Sequence, residues 1–184
     1  MEKIDRRITR TQRLVTDALI ALALEKGYDA VTIKDITERA DISYSTFFRR
    51  YPDHDKDALL MNVLEETVHQ LGDLVGSSES PEAGGALLFC HVADNQDLYR
   101  VLLGGLNSSA VVQKVQQMTI ASILTNQMLL SDPLIPPEIA ANHIAASALA
   151  LVKWWLDNDM PYPPERMGAI YAALIIHPIR LTKT

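Results

Sequence analysis

Cysteine is nearly missing from this chain. Cys90 is the single one among 184 residues. A disulfide framework is therefore excluded, and so is a zinc site built from several thiolates. The opening stretch "MEKIDRRITR" lacks the apolar run of a secretion signal. No run of about 18 apolar residues is free of charges, so no membrane span is expected. Strand-like alternation is missing throughout, which excludes a sheet. The one glycine-rich stretch, "GSSESPEAGG" at 76–85, has no strand before it and no Lys-Ser/Thr after it. It is no phosphate-binding loop, and it reads as a connection.

What is present is the material of an ordinary folded protein. Apolar residues make up 48 % and charged residues 22 %, enough for a core and too little charge for wholesale disorder. The formal charge of −6 is unevenly spread. Residues 1–60 hold 11 basic and 11 acidic residues, whereas residues 61–184 hold 6 and 12. Residues 1–13 alone carry +3, from Lys3, Arg6, Arg7, Arg10 and Arg13 against Glu2 and Asp5. Such asymmetry points to two regions with different partners.

The apolar residues recur at helical spacing. Leu14, Val15, Ala18, Leu19, Leu22 and Ala23 form one stripe, and Gly27 suits its end. Thr32, with Asp35 three residues on, predicts the cap of a short second helix, as a shortened capping box. Asp41 and Ile42 predict a tight turn. Ser43 predicts the cap of a third helix running to about Arg50, stopped by Pro52. A long fourth helix carries Leu60, Val63, Leu64, Val68, Leu71 and Val75. Further helices are expected after residue 85, with a run from Ser109 to Leu130 and two final helices at about 137–158 and 164–177, ended by Pro178. The expected fold is all-α with about nine helices.

Two short helices joined by a tight turn and packed on a longer one describe a helix-turn-helix. In that motif the second helix enters the DNA major groove by its N-terminal end. Here that end offers Ser43, Tyr44, Ser45, Thr46 and Phe48, with Arg49 and Arg50 behind and Lys56 at the head of the fourth helix. Hydroxyls and a tyrosine suit base edges and phosphates, and arginines suit the sugar-phosphate backbone. On these residues alone a three-helix unit that never touches DNA also fits, with Arg49 and Arg50 as a solvated face.

Residues 9–60 resemble the DNA-binding domain of the TetR family of bacterial transcriptional regulators. The resemblance rests on "GYDAVTIKDITERADIS", with Gly27, Tyr28, Thr32, Ile33 and Ile36, and on "STFFRRYPDHDKDALL", with Thr46, Phe47, Phe48, Tyr51, Lys56 and Leu59. "NQDLYRVLLGG" and "ALVKWWLDNDMPYPPERMGAIY" look like segments of the regulatory half of one branch of that family. The resemblance implies phosphate or base contacts from Thr32 and Lys34, base reading by Tyr44, Ser45 and Thr46, and phosphate contacts from Arg50 and Lys56. Phe48 stands where the family usually has a tyrosine, so a thymine methyl replaces a hydrogen bond as its expected partner. The pair His54 and Asp55 is extra before Lys56, and Asp41 replaces a turn glycine.

The back half carries weaker signals. Cys90, His91 and Asp94 lie close in sequence but lack further ligands in a metal or nucleophile spacing, and His143 reads as structural. No cofactor and no metal are expected. Phe89, Tyr99, Met118, Met128 and one of Trp154 and Trp155 are candidates to line an apolar cavity. Small and apolar residues on the last two helices, namely Ala141, Ala145, Ala148, Met167, Ile170, Tyr171, Leu174 and Ile175, are candidates for a dimer seam in a four-helix bundle.

Together these features predict a helix-turn-helix domain at 1–54 and a helical regulatory domain, for ligand binding and dimerisation, at 55–184. The expected protein is a cytoplasmic homodimeric regulator. It is expected to bind a palindromic double-stranded operator as a repressor and to be released by a small, largely apolar effector. The alternatives are a helix-turn-helix regulator without such an effector and, from another class, a small all-α enzyme, which the missing catalytic motif disfavours.

Overall fold

The computed structural model describes residues 6–51, 55–105, 109–125 and 135–180, and among them there is no strand. Helix α1 (Arg6–Lys26) leads through a 3-10 turn at Tyr28–Ala30 to α2 (Ile33–Arg39) and α3 (Tyr44–Arg50). Then come α4 (Lys56–Gly76), α5 (Pro81–Asp94) and α6 (Gln96–Arg100), which widens into a π turn at Val101–Gly105. Helices α7 (Ser109–Thr125), α8 (Pro137–Asp157) and α9 (Pro164–Tyr171) complete the fold. The expected all-α architecture is the one observed.

Two apolar clusters hold the helices. The first joins Val15, Leu19, Ile36, Phe47, Leu59, Leu60 and Leu64 of α1 to α4, and it also takes in Leu98, Val101, Leu102 and Val115. The second joins Phe89, Val92, Tyr99, Ile144, Trp155 and Met167. Helix α4 serves both halves: its first turns complete the first cluster, while Val68, Leu71 and Val75 line a cavity beside the second. Leu14, expected on the α1 stripe, stays exposed; Val15 and Leu19 fill that core instead.

Two sequence expectations change. First, the glycine-rich 76–85 stretch is mostly helix. Ser80 caps α5 by accepting a hydrogen bond from the Ala83 N–H (3.2 Å), Pro81 takes the first turn, and Gly84 and Gly85 lie buried inside the helix. The cause is close helix contact. A Cβ on Gly85 would lie 2.8 Å from Gly168 Cα, and one on Gly168 would lie 2.3 Å from Ala86 N. These glycines let two backbones touch; they do not make a turn. Second, Pro178 does not end the last helix. A π turn at Ala172–Ile176 leads into α10 (His177–Arg180). The wider turn accommodates the missing proline N–H and the clash of its ring with the preceding turn. The expectation of no membrane span is unchanged, although α8 is long and apolar enough, by length and composition alone, to cross a membrane. Its Ile144, Val152 and Trp155 are instead spent on the core.

Candidate nucleic-acid interface and internal cavity

The α2–α3 unit is built by local capping. Thr32 heads α2 with a complete capping box: its hydroxyl oxygen accepts from the Asp35 N–H (3.2 Å) while its own N–H donates to the Asp35 carboxylate (2.8 Å). Aspartate thus reaches back far enough to close the box. Lys26 adds an ion pair to the same carboxylate at 2.7 Å. The lysine first, and the threonine second, hold the Asp35 carboxyl well below its ordinary range. Arg39 donates both guanidinium nitrogens to Glu25 (2.8 and 2.7 Å), which lowers the Glu25 pKa. So α2 is pinned to the end of α1 at two points. The turn after α2 places Asp41 at φ 51°, a conformation aspartate tolerates better than most residues. The Ile42 N–H closes the turn on the Thr37 carbonyl at 3.1 Å.

Ser43 caps α3, accepting from the Thr46 N–H (3.2 Å), with the Ser45 and Thr46 hydroxyls 3.0 and 2.9 Å from its own. Tyr44 projects from the first turn with 46 % of its surface exposed. Its ring rests on Phe48 (5.1 Å between centroids), Phe48 stands edge-on to Phe47 (5.7 Å), and buried Phe47 packs on Tyr51 (5.0 Å). This aromatic ladder fixes the pose of Tyr44. Ser45 and Arg49 are exposed and Thr46 is half-buried. Lys34 is exposed beside Glu38 (3.7 Å). Lys34 and Tyr44 line one surface recess between α2 and α3, with Thr32 at the head of α2 and Ser43, Ser45, Thr46 and Arg49 at or on α3. Phe48 is half-buried and belongs as much to the ladder as to the surface. Arg50 lies on α3, but its side chain is outside the described residues, as is His54.

Lys56 is a correction. Its ammonium donates to the carbonyls of Tyr28 (2.8 Å), Asp29 (3.1 Å) and Val31 (3.0 Å) and lies 4.6 Å from the Tyr28 ring centroid. An ammonium has three donors, and all three are used, so Lys56 is a fastener here and not a phosphate contact. The Tyr28 hydroxyl donates to Asp57 at 2.5 Å. Burial first, and the Asp57 carboxylate second, push the Tyr28 pKa well above its ordinary value. Together Tyr28, Lys56 and Asp57 latch the head of α4 to the turn between α1 and α2. Sequence reasoning missed this latch. The only signal for it was an aromatic residue facing a Lys-Asp pair 28 positions on.

Behind it lies a cavity of about 360 Å³ bounded by α4, α5, α7, α8 and the last helix. Of the residues expected to line it, Tyr99 does. Phe89 is buried edge-on against Trp155 (5.1 Å), whose indole N–H donates to the Tyr162 carbonyl (2.9 Å). Trp154 turns outward and stacks on Tyr162. Met118 is half-buried on α7 away from the lining, and Met128 is outside the described residues. Aliphatic residues of α4 and α8 form the wall instead. The dimer-seam expectation also changes. Ala141, Ala145, Met167, Tyr171 and Ile175 are buried within this single chain, so they close its own core. Ala148 and Ile170 are half-buried, while Leu174 is 65 % exposed. Among the described residues no three His, Cys, Asp or Glu side chains converge as metal ligands. Burial raises the Cys90 pKa and lowers that of His91.

Residues 15–63 match the family model described as bacterial regulatory proteins, tetR family, and residues 79–177 match that of a transcriptional regulator C-terminal region. The chain belongs to the TetR family. Among curated proteins it is similar to the uncharacterized HTH-type transcriptional regulator YxbF of Bacillus subtilis, 23 % identical over 177 residues. That match covers 89 % of this chain and 44 % of the relative, so the chain spans less than half of that relative's length. Among solved structures, a proposed TetR-family regulator from Syntrophomonas wolfei superposes with a TM-score of 0.77 at 18 % identity, covering 97 % of this chain and all of that one. A TetR regulator from Streptococcus agalactiae superposes with a TM-score of 0.68 at 22 % identity, covering 93 % and 96 %. At these identities the structural likeness speaks for the TetR fold alone.

Proposed function

We propose that this TetR-family chain is a homodimeric repressor that leaves a near-palindromic operator when a small, largely apolar effector occupies its cavity. The observation that carries the reading is the double service of α4. Its head is latched to the DNA-reading unit by Lys56 and Asp57, and its tail walls the cavity with Val68, Leu71 and Val75. A ligand that fits one position of α4 shifts the recognition helices and so opposes DNA binding. Tyr44, Ser45 and Thr46 read bases, while Lys34 and Arg49 hold phosphates. The two functional halves, near 1–54 and 55–184, share α4 across their boundary. The second copy packs on the outer faces of α8 and of the π turn after α9, where Ile139 and Leu174 are exposed. The site of action is the cytoplasm, where the DNA is.

A regulator answering to a protein partner alone has no use for an internal apolar cavity of this size, and that favours the small-molecule reading. Selection of bound sequences from random duplexes tests the proposal. A near-palindrome is expected, with half-sites about 34–36 Å apart on one face of the DNA, as a two-fold dimer requires. Absence of any enriched sequence would remove the DNA-reading role of α3.

A further inference from the structure

We infer that the cavity takes an uncharged, mainly apolar molecule bearing one hydrogen-bonding group, which pairs with the Tyr99 hydroxyl, and that it rejects anions. This rests on the effector reading above and names the chemical class of that effector. Tyr99 is 7 % exposed and lines the cavity, and its hydroxyl is not among the fully buried side-chain atoms left without a partner, so it opens on the cavity. A phenol hydroxyl both donates and accepts, so a ligand acceptor or donor in the cavity can pair with it. Behind Tyr99 stands His91, edge-on at 6.0 Å, and burial lowers its pKa. Thr119 and Ser122 add hydroxyls from α7, the Thr119 one already donating to the Val115 carbonyl.

The charge of the described lining points the same way. Among the described side chains lining the cavity there is no Lys, Arg or His, and the one ionisable carboxylate, Glu79, is exposed beside Ser78 and Ser80. His177, on the last helix, is engaged with Glu82 at 2.9 Å. A carboxylate, sulfonate or phosphate carried inside would meet hydroxyls and aliphatic side chains but no counter-charge among the described lining residues. The cavity volume lies at the lower end of the range for ligand pockets, about 300–1,000 Å³, which suits a small single molecule.

The test is displacement of the neutral fluorophore 1-aminoanthracene from the full chain by decan-1-ol and by decanoate, two molecules that differ in the charge of one end. Decan-1-ol is expected to displace it, with decanoate at least about 30-fold weaker at pH 7.5, since an unpaired buried charge is strongly penalised. In Tyr99→Phe the affinity for decan-1-ol should fall about 5-fold, the worth of one hydrogen bond, while that for naphthalene, which has no such group, stays unchanged. Decanoate binding as tightly as decan-1-ol overturns the chemical class and leaves the regulatory reading standing. An unchanged decan-1-ol affinity in Tyr99→Phe overturns the role of the hydroxyl. If no probe enters at all, the effector reading itself falls, and this inference with it.

Discussion

The two halves of this regulator are built by opposite means. The front half presents its chemistry outward and pins it by polar contacts at the surface: Thr32 with Asp35, Lys26 with Asp35, and Arg39 with Glu25. The back half encloses its chemistry and holds it by apolar contact, with Gly85 and Gly168 letting α5 and α9 touch backbone to backbone. A surface that must meet DNA tolerates screened, exposed ion pairs, each of small worth. A cavity that must stay shaped needs rigid walls. Mutations should therefore separate the halves: packing changes behind cost stability, and charge changes in front cost function.

The largest effect should come from Gly168→Ala. Its Cβ would fall 2.3 Å from Ala86 N, so the two helices must part, at about 3 kcal/mol, the upper end of ordinary overpacking costs. In a chain of this size each kcal/mol moves the midpoint by about 2–4 °C, and circular dichroism melting reads the drop. An unchanged midpoint would show that the crossing gives way at little cost, and the contrast between halves would fade.

Lys56→Met comes next, and it acts on the joint between the halves. Three carbonyls lose their donor at the turn after α1, worth about 2 kcal/mol in chemical denaturation. Operator affinity should fall with it because α4 loses its fixed relation to α2. A variant as stable as the parent but weaker on DNA, with the salt slope reduced by about one, would instead make Lys56 a phosphate contact.

Arg49→Ala should leave the melting midpoint within the small change usual for a surface substitution. It should weaken binding to all DNA sequences and reduce the salt slope by about one. Fluorescence anisotropy at several salt concentrations measures this. An altered base preference with an unchanged slope would move Arg49 from the backbone to a base edge.

Asp35→Asn should give the smallest effect, and one that depends on pH. The folded carboxyl titrates below its unfolded value of about 3.9, because Lys26 and Thr32 favour the charged form. A depressed folded pKa stabilises above the unfolded pKa, and that stability is lost as pH falls through the folded one. The variant should be less stable than the parent at pH 6, and the gap should narrow by pH 3. Denaturant titration at both values shows whether it does; a gap equal at both would mean that the capping geometry matters and the charge does not.

The same contrast explains what was legible in the sequence. The caps at Thr32 and Ser43, the turn at Asp41 and the outward Tyr44 depend on residues three or four apart, and local spacing revealed them. Lys56 was placed on the right helix but given the wrong partner, because its carbonyls lie 25 to 28 positions back. Glycines at 84 and 85 read as a turn since nothing local records the arrival of Gly168. The cavity was misjudged for the same reason. Aromatic and methionine side chains were natural candidates, yet Phe89 and Trp155 pair with each other, and plain aliphatic residues of α4 and α8 were left to make the wall.

The account stands on α4 carrying the state of the cavity to the DNA-reading end, and a single titration tests that most directly. The affinity of the chain for decan-1-ol is measured by 1-aminoanthracene displacement, alone and with its selected operator duplex in saturating amount. Coupling between two sites is reciprocal, and typical values of about 1–3 kcal/mol correspond to about 5–150-fold. The expected result is that operator weakens decan-1-ol binding by the same factor by which decan-1-ol weakens operator binding. Equal decan-1-ol affinity with and without operator would contradict it.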